Sequence, residues 1–114
     1  MKIIYSKNLP PKDFGAINLF GLIIVRKDYG KLTDAEKNHE LIHTRQMLEM
    51  LIIFFYLSYI IEWLIRLIQY RDRLKAYENI SYEREAYGCM HNLTYLKDRQ
   101  MFSFRQYYRR KEQR

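Results

Sequence analysis

Between Met50 and Ile68 the chain runs almost unbroken through large apolar residues, with only Glu62 and Arg66 charged. Those two lie four residues apart, a spacing at which they can pair on one helix face. Upstream the pattern is finer. Residues 2–5 and 16–27 are rich in β-branched and aromatic positions, the composition of half-buried strands. Gly21 interrupts the second stretch and implies a kink, bulge or tight turn, and Asp28-Tyr29-Gly30-Lys31 reads as a turn. Thr33-Asp34-Ala35-Glu36 then has the form of a capping box, with Thr at N-cap and Glu at N3, and predicts a helix start. From there one long helix is expected over 33–73, its second half being the apolar run. A further helix should open near Asn79 or Ser81 and a basic one should complete the chain, so that 80–114 is helical.

The expected class is α+β, mostly α: a small N-terminal antiparallel sheet in 1–31, a long helix, and two or more helices packed on it. At 114 residues this makes a single domain, 1–114, with a modest core. Covering the apolar run on all sides is hard for so short a chain. Its length is also at the threshold for a membrane span. Trp63, Tyr56 and Tyr59 suit an interface, and Arg71, Arg73 and Lys75 form a basic flank. Two readings stay open: a buried core helix, or membrane association through residues 50–68.

Composition narrows the setting. The lone cysteine, Cys89, excludes an internal disulfide and fits a reducing compartment as a half-buried thiol. No secretory apolar region follows Met1, so the expected location is the cytoplasm or the cytoplasmic face of a membrane. The net charge of +7 is uneven, because seven Lys/Arg from Lys97 onward face only Asp98 and Glu112. No helix-turn-helix, zinc-finger or RNA-recognition pattern accompanies that basic end. It is read as a solvated amphipathic face rather than a nucleic-acid surface.

The chemistry is concentrated in His39-Glu40-Leu41-Ile42-His43, an HExxH pentapeptide placed in the second and third turns of the predicted helix. Residues i and i+4 share a helix face, so both imidazoles can address one metal ion. Glu40 beside them has the position of a general base toward water at that ion. A third protein ligand is needed from a later element. Candidates are Glu78, Glu83, Glu85 and His91; Glu83 is best placed, near a helix start, while Glu85 lies about 200° round the same helix.

Asn38–Gln46, followed forty residues on by Glu83-Arg84-Glu85-Ala86, resembles a gluzincin-type minimal metallopeptidase pattern. More closely, the chain is similar to small uncharacterised bacterial proteins, common in Bacteroidetes, with an HExxHxxQ helix, an apolar middle and a closing EREAY segment. The resemblance implies a minimal zincin-like fold, Zn2+ held by His39, His43 and Glu83, Glu40 as catalytic base, and a peptide or protein substrate. Many gluzincins carry Asp after ExxA to orient a ligating histidine. Tyr87 stands there instead, so Asn38, Gln46 or a backbone carbonyl must hold the imidazoles. Tyr82, Tyr87 or His91 would serve the oxyanion, and Leu22–Lys27 would offer the strand edge to which an extended peptide adds. The alternative is a non-catalytic, membrane-associated helical protein with a structural or vestigial metal site.

Overall fold

The computed structural model describes residues 2–10 and 15–108. Three strands, β1 (Lys2–Ser6), β2 (Ala16–Leu19) and β3 (Leu22–Arg26), form one sheet in the order β1-β3-β2. β2 and β3 make the antiparallel hairpin, closed by Phe20 and Gly21 with φ of 55° and 90°. Positive φ at both central positions is the geometry that matches strand twist in a two-residue loop. Gly21 takes it freely. Phe20 is held there from outside, its ring edge-on to Tyr56 at 5.2 Å and its N–H donating to the Tyr56 hydroxyl at 2.9 Å.

β1 departs from the antiparallel expectation. It pairs parallel to β3, with Ile3 opposite Ile23 and Tyr5 opposite Val25. β2, the hairpin partner, occupies one edge of β3, and β1 pairs along the other. β3 is therefore central. Its alternate residues Ile23 and Val25 are fully buried and pack with Leu32.

α1 (Asp34–Glu49) opens on the capping box as expected, Thr33 Oγ1 accepting from the Glu36 N–H at 3.1 Å and Glu36 accepting from the Thr33 N–H at 2.8 Å. The single helix expected over 33–73 is, however, two. α1 ends at Glu49 and α2 (Ile53–Tyr70) starts afresh. Between them Leu51 and Ile52 take φ of 53° and 61°. The N–H of Leu51 reaches the carbonyl of Leu48 and that of Ile52 reaches Met47, the paired bonds of a Schellman termination with leucine where glycine is usual. No turn residue marks this break. It is set by packing: Met50 and Ile52 are drawn onto the core of Met47, Phe55, Ile80, Tyr82 and Phe104. The reversal folds α2 back along α1.

The two charges of α2 face inward. Glu62 and Arg66 are buried and pair at 3.4 Å. The Glu62 carboxylate also accepts from the N–H and the hydroxyl of Ser81, each at 2.6 Å. It thereby caps α4 (Ser81–Cys89) from another helix, where the N-cap residue itself, Ile80, has no side chain able to do so. Between them lies α3 (Arg73–Glu78), capped by Asp72. After α4 the basic end is a single turn, α5 (Tyr95–Asp98), and a 3₁₀ turn (Ser103–Tyr107), not one helix. Arg99 leaves α5 in extended backbone because its guanidinium is drawn inward onto Glu49 and Glu85. The four basic residues from Arg109 onward, together with Glu112, lie outside the described residues, and with them most of the end read as an amphipathic face.

Candidate metal centre

α1 buries an unusual face. Asn38, His39, His43 and Gln46 all point inward alongside Ile42 and Met47. Burying polar groups costs free energy unless each finds a partner, so such a face implies partners supplied by the neighbouring helices. α4 supplies them. It lies beside α1 and presents Glu83 to the two histidines. His43 Nε2 stands 2.9 Å from Glu83 Oε1, His39 Nε2 stands 3.3 Å from the same oxygen, and the two imidazole nitrogens are 3.1 Å apart. All three side chains are buried.

Gln46 decides the tautomer of His43. Its Nε2 donates to the Tyr82 carbonyl at 3.1 Å and to Glu85 Oε1 at 2.9 Å, both acceptors only. The amide oxygen must therefore be the atom 2.8 Å from His43 Nδ1, and that nitrogen carries a hydrogen and donates it. This leaves the Nε2 lone pair of His43 directed at the Glu83 carboxylate and at the His39 nitrogen. Atoms this close are mutually repulsive unless a hydrogen or a cation sits among them; a proton on either imidazole Nε2 or a metal ion meets that need. With the proton on His43, burial works against the charge, but the Glu83 carboxylate outweighs it and lifts His43 to about 9. Glu83, whose burial alone would raise it, is held far below the usual carboxylate range by the same histidines.

The spacing also suits a metal. Ligand atoms about 2.0–2.1 Å from a tetrahedral ion stand roughly 3.3–3.4 Å from one another, close to the 2.9–3.3 Å found here. The His39/His43/Glu83 group can thus hold a metal ion. Outer partners fix each ligand. Gln46 holds His43, and the Tyr59 hydroxyl donates to Glu83 Oε2 at 2.6 Å. His39 is held differently: Tyr87 lays its ring edge-on against the imidazole at 4.4 Å. The buried His39 Nδ1 has no hydrogen-bond partner.

Among the alternative third ligands, Glu85 faces away into a buried network. Arg99 bridges it to Glu49, and Tyr95 donates to it at 2.5 Å. Glu78 and His91 are exposed and outside the cluster. Asn38 does not touch an imidazole; its amide ties α1 to the carbonyls of Met90 and Asn92 at 2.9 Å.

Glu40 is half-buried and lines a cleft of about 1210 Å3 together with His39, His43 and Glu83. Burial raises its carboxyl, and the two imidazoles partly offset the rise. β2 forms one wall of this cleft and α2 the other. The expected edge strand, Leu22–Lys27, is central instead, and β2 takes the edge position because β1 covers the far side of β3. Of the residues expected at an oxyanion, Tyr82 is in the core with its hydroxyl 2.7 Å from Ser58, and Tyr87 flanks His39. The phenols that line the cleft are Tyr56, Tyr59 and Tyr77. Tyr59 and the Arg99 network were not legible as site residues: one lay inside the apolar run, the other in the basic end. Comparison of the chain with protein-family models, with curated proteins and with solved structures finds no match.

Proposed function

We propose that this chain is a zinc-dependent metallopeptidase of gluzincin type. The observation that carries the reading is the meeting of three buried groups able to ligate one ion, His39 Nε2, His43 Nε2 and Glu83 Oε1, in the lining of a cleft that Glu40 also lines. Two imidazoles and one carboxylate are the donor set of catalytic zinc sites, which leave a fourth position open. His39, His43 and Glu83 would hold the ion, which when bound would supply Lewis acidity toward water and the scissile carbonyl. The chain's own residues do the rest. Glu40 takes a proton from the attacking water and returns it to the leaving amine nitrogen. The edge position of β2 beside the cleft offers an extended polypeptide a strand to pair with, which would align a peptide bond over the site. The single cysteine and the outward apolar helix fit the cytoplasm or the cytoplasmic face of a membrane.

A structural metal site in a non-catalytic protein would need the same three ligands but has no use for Glu40. The two readings separate in Glu40→Gln. Purified wild type and variant should both retain about one zinc per chain by elemental analysis. Hydrolysis of unfolded polypeptide should fall by orders of magnitude in the variant. Equal activity in the two proteins would overturn the peptidase mechanism; equal metal content in wild type, His39→Ala and His43→Ala would overturn the site itself.

A further inference from the structure

α2 is amphipathic in the reverse of the usual sense. Its charged residues, Glu62 and Arg66, are buried, while Ile53, Phe54, Leu57, Ile61, Leu64, Ile65 and Ile68 are 48–78% exposed. At about 100° per residue these positions fall within one stripe roughly 120° wide, and no charged residue interrupts it. Further exposed apolar residues stand next to α2 in sequence at both ends. Leu48 and the tip residue Leu51 are 62% and 72% exposed, and Leu74 is 63% exposed beyond the C-terminus. Contiguous apolar surface on this scale marks an interaction site rather than ordinary surface scatter.

We infer that this face lies in the plane of an anionic lipid bilayer, its side chains in the headgroup–acyl boundary. Charge complementarity selects the occupant. The chain carries +7, which attracts an anionic surface and repels a second copy. Exposed Arg71, Arg73 and Lys75 flank Leu74 in sequence and outnumber Asp72, whose carboxylate is engaged in capping α3, placing net positive charge beside an apolar anchor. α2 is long and apolar enough to cross a membrane by length and composition. Spanning would nevertheless carry the Glu62/Arg66 face and the polar helices packed on it into hydrocarbon, whereas lying flat keeps them in water. Ile60 and Leu74 belong both to the exposed apolar surface and to the cleft lining, so the cleft opens at the lipid boundary. On the peptidase reading, on which this step rests, the substrate class is polypeptide anchored in or emerging from the membrane.

The test is sedimentation with vesicles of phosphatidylglycerol and phosphatidylcholine against phosphatidylcholine alone. Wild type and His39→Ala should bind the anionic vesicles alike, since the face does not involve the metal site. Ile61→Glu/Ile65→Glu, both outside the cleft, should bind at least about tenfold more weakly with unchanged circular dichroism. Arg71→Gln/Lys75→Gln should lose several-fold and flatten the salt dependence. Cleavage of a vesicle-anchored peptide should then fall in Ile61→Glu/Ile65→Glu while cleavage of the same peptide free in solution is retained. Vesicle binding without cleavage of either peptide by wild type would fault the peptidase reading and leave the bilayer face standing. Absence of vesicle binding by wild type, whether it sediments as a monomer or as a dimer closed through α2, would overturn the inference, as would unchanged binding by Ile61→Glu/Ile65→Glu.

Discussion

Arg99→Met should be the most damaging substitution outside the metal ligands. The Arg99 side chain is fully buried between two acidic residues. It donates from Nε to Glu85 Oε2 at 2.5 Å, from Nη1 to Glu49 Oε2 at 2.6 Å, and from Nη2 to both carboxylates at 3.1 Å. Methionine fills much of the volume but leaves two buried carboxylates facing one another. Removing one member of such a group costs about 3–5 kcal/mol, chiefly through the charge left behind, out of a total stability of about 5–15 kcal/mol. With an unfolding entropy of about 2.1 cal/mol/K per residue, a 114-residue chain should melt roughly 12–20 °C lower. The pH dependence identifies the cause. Burial alone would raise the Glu85 carboxyl, but hydrogen bonds from Arg99, Tyr95 and Gln46 hold it below 4.5. A carboxyl depressed on folding contributes stability above its unfolded pKa, and that contribution is lost as pH falls through the folded value. Without Arg99 the burial effect on Glu85 is no longer outweighed, and the variant gains by protonating it. The gap between the two proteins should therefore be widest near pH 7 and narrow toward pH 4. Metal affinity should fall as well, by about 10–100-fold, because Glu85 is one of the two acceptors that orient Gln46 against His43. Urea unfolding and zinc titration measure both effects. An unfolding free energy within about 1 kcal/mol of wild type at pH 7 would refute the reasoning.

Zinc at a hundred times its dissociation constant should stabilise the fold by about 2.7 kcal/mol; in thermal melts this gain should survive Glu40→Gln and vanish in His39→Ala and Glu83→Gln, and its survival in Glu83→Gln would remove Glu83 from the site. Leu51→Gly should stabilise the protein by about 0.5–1 kcal/mol in urea, since Leu51 holds a left-handed backbone while largely exposed; destabilisation would mean that the leucine side chain carries packing the structure assigns elsewhere. In metal-free protein, His43 is opposed by its burial but raised to about 9 by Glu83. Stability from a raised group is fully present below its unfolded pKa of about 6.5 and is lost as pH rises through the folded value. Melting with a chelator present should thus decline between about pH 6.5 and 9, and a His43 ring titrating near 6.5 by NMR would refute this.

What the sequence determined on its own is local. The Thr33–Glu36 box fixes where α1 starts, because a cap needs only residues three apart. The HExxH spacing then brings His39 and His43 onto one face, because helix geometry is repetitive. The position of Glu83 followed from the same periodicity within α4, which turns Glu85 away. Gln46, three residues after His43, is near enough to be read as a partner for its ring. The tertiary structure decided everything that depends on elements distant in sequence. The break at Leu51 and Ile52 carries no turn residue and exists because α2 gains more by folding back over the core than by continuing α1. That reversal brings Tyr59 to Glu83 and turns Glu62 and Arg66 inward, where Glu62 caps a helix nineteen residues on. The apolar run looked the same whether buried, membrane-facing or both. Only the placement of α1, α3 and α4 determined which arc of α2 is covered, since a period of 3.6 residues defines faces but not their neighbours. β1 shows the same limit in the sheet: its composition predicts a strand, while pairing and direction depend on where the connecting chain crosses. Arg99, read from sequence as one cation of a solvated basic end, became the buried tie between Glu49 and Glu85 because two acidic side chains on separate helices met where no water reaches.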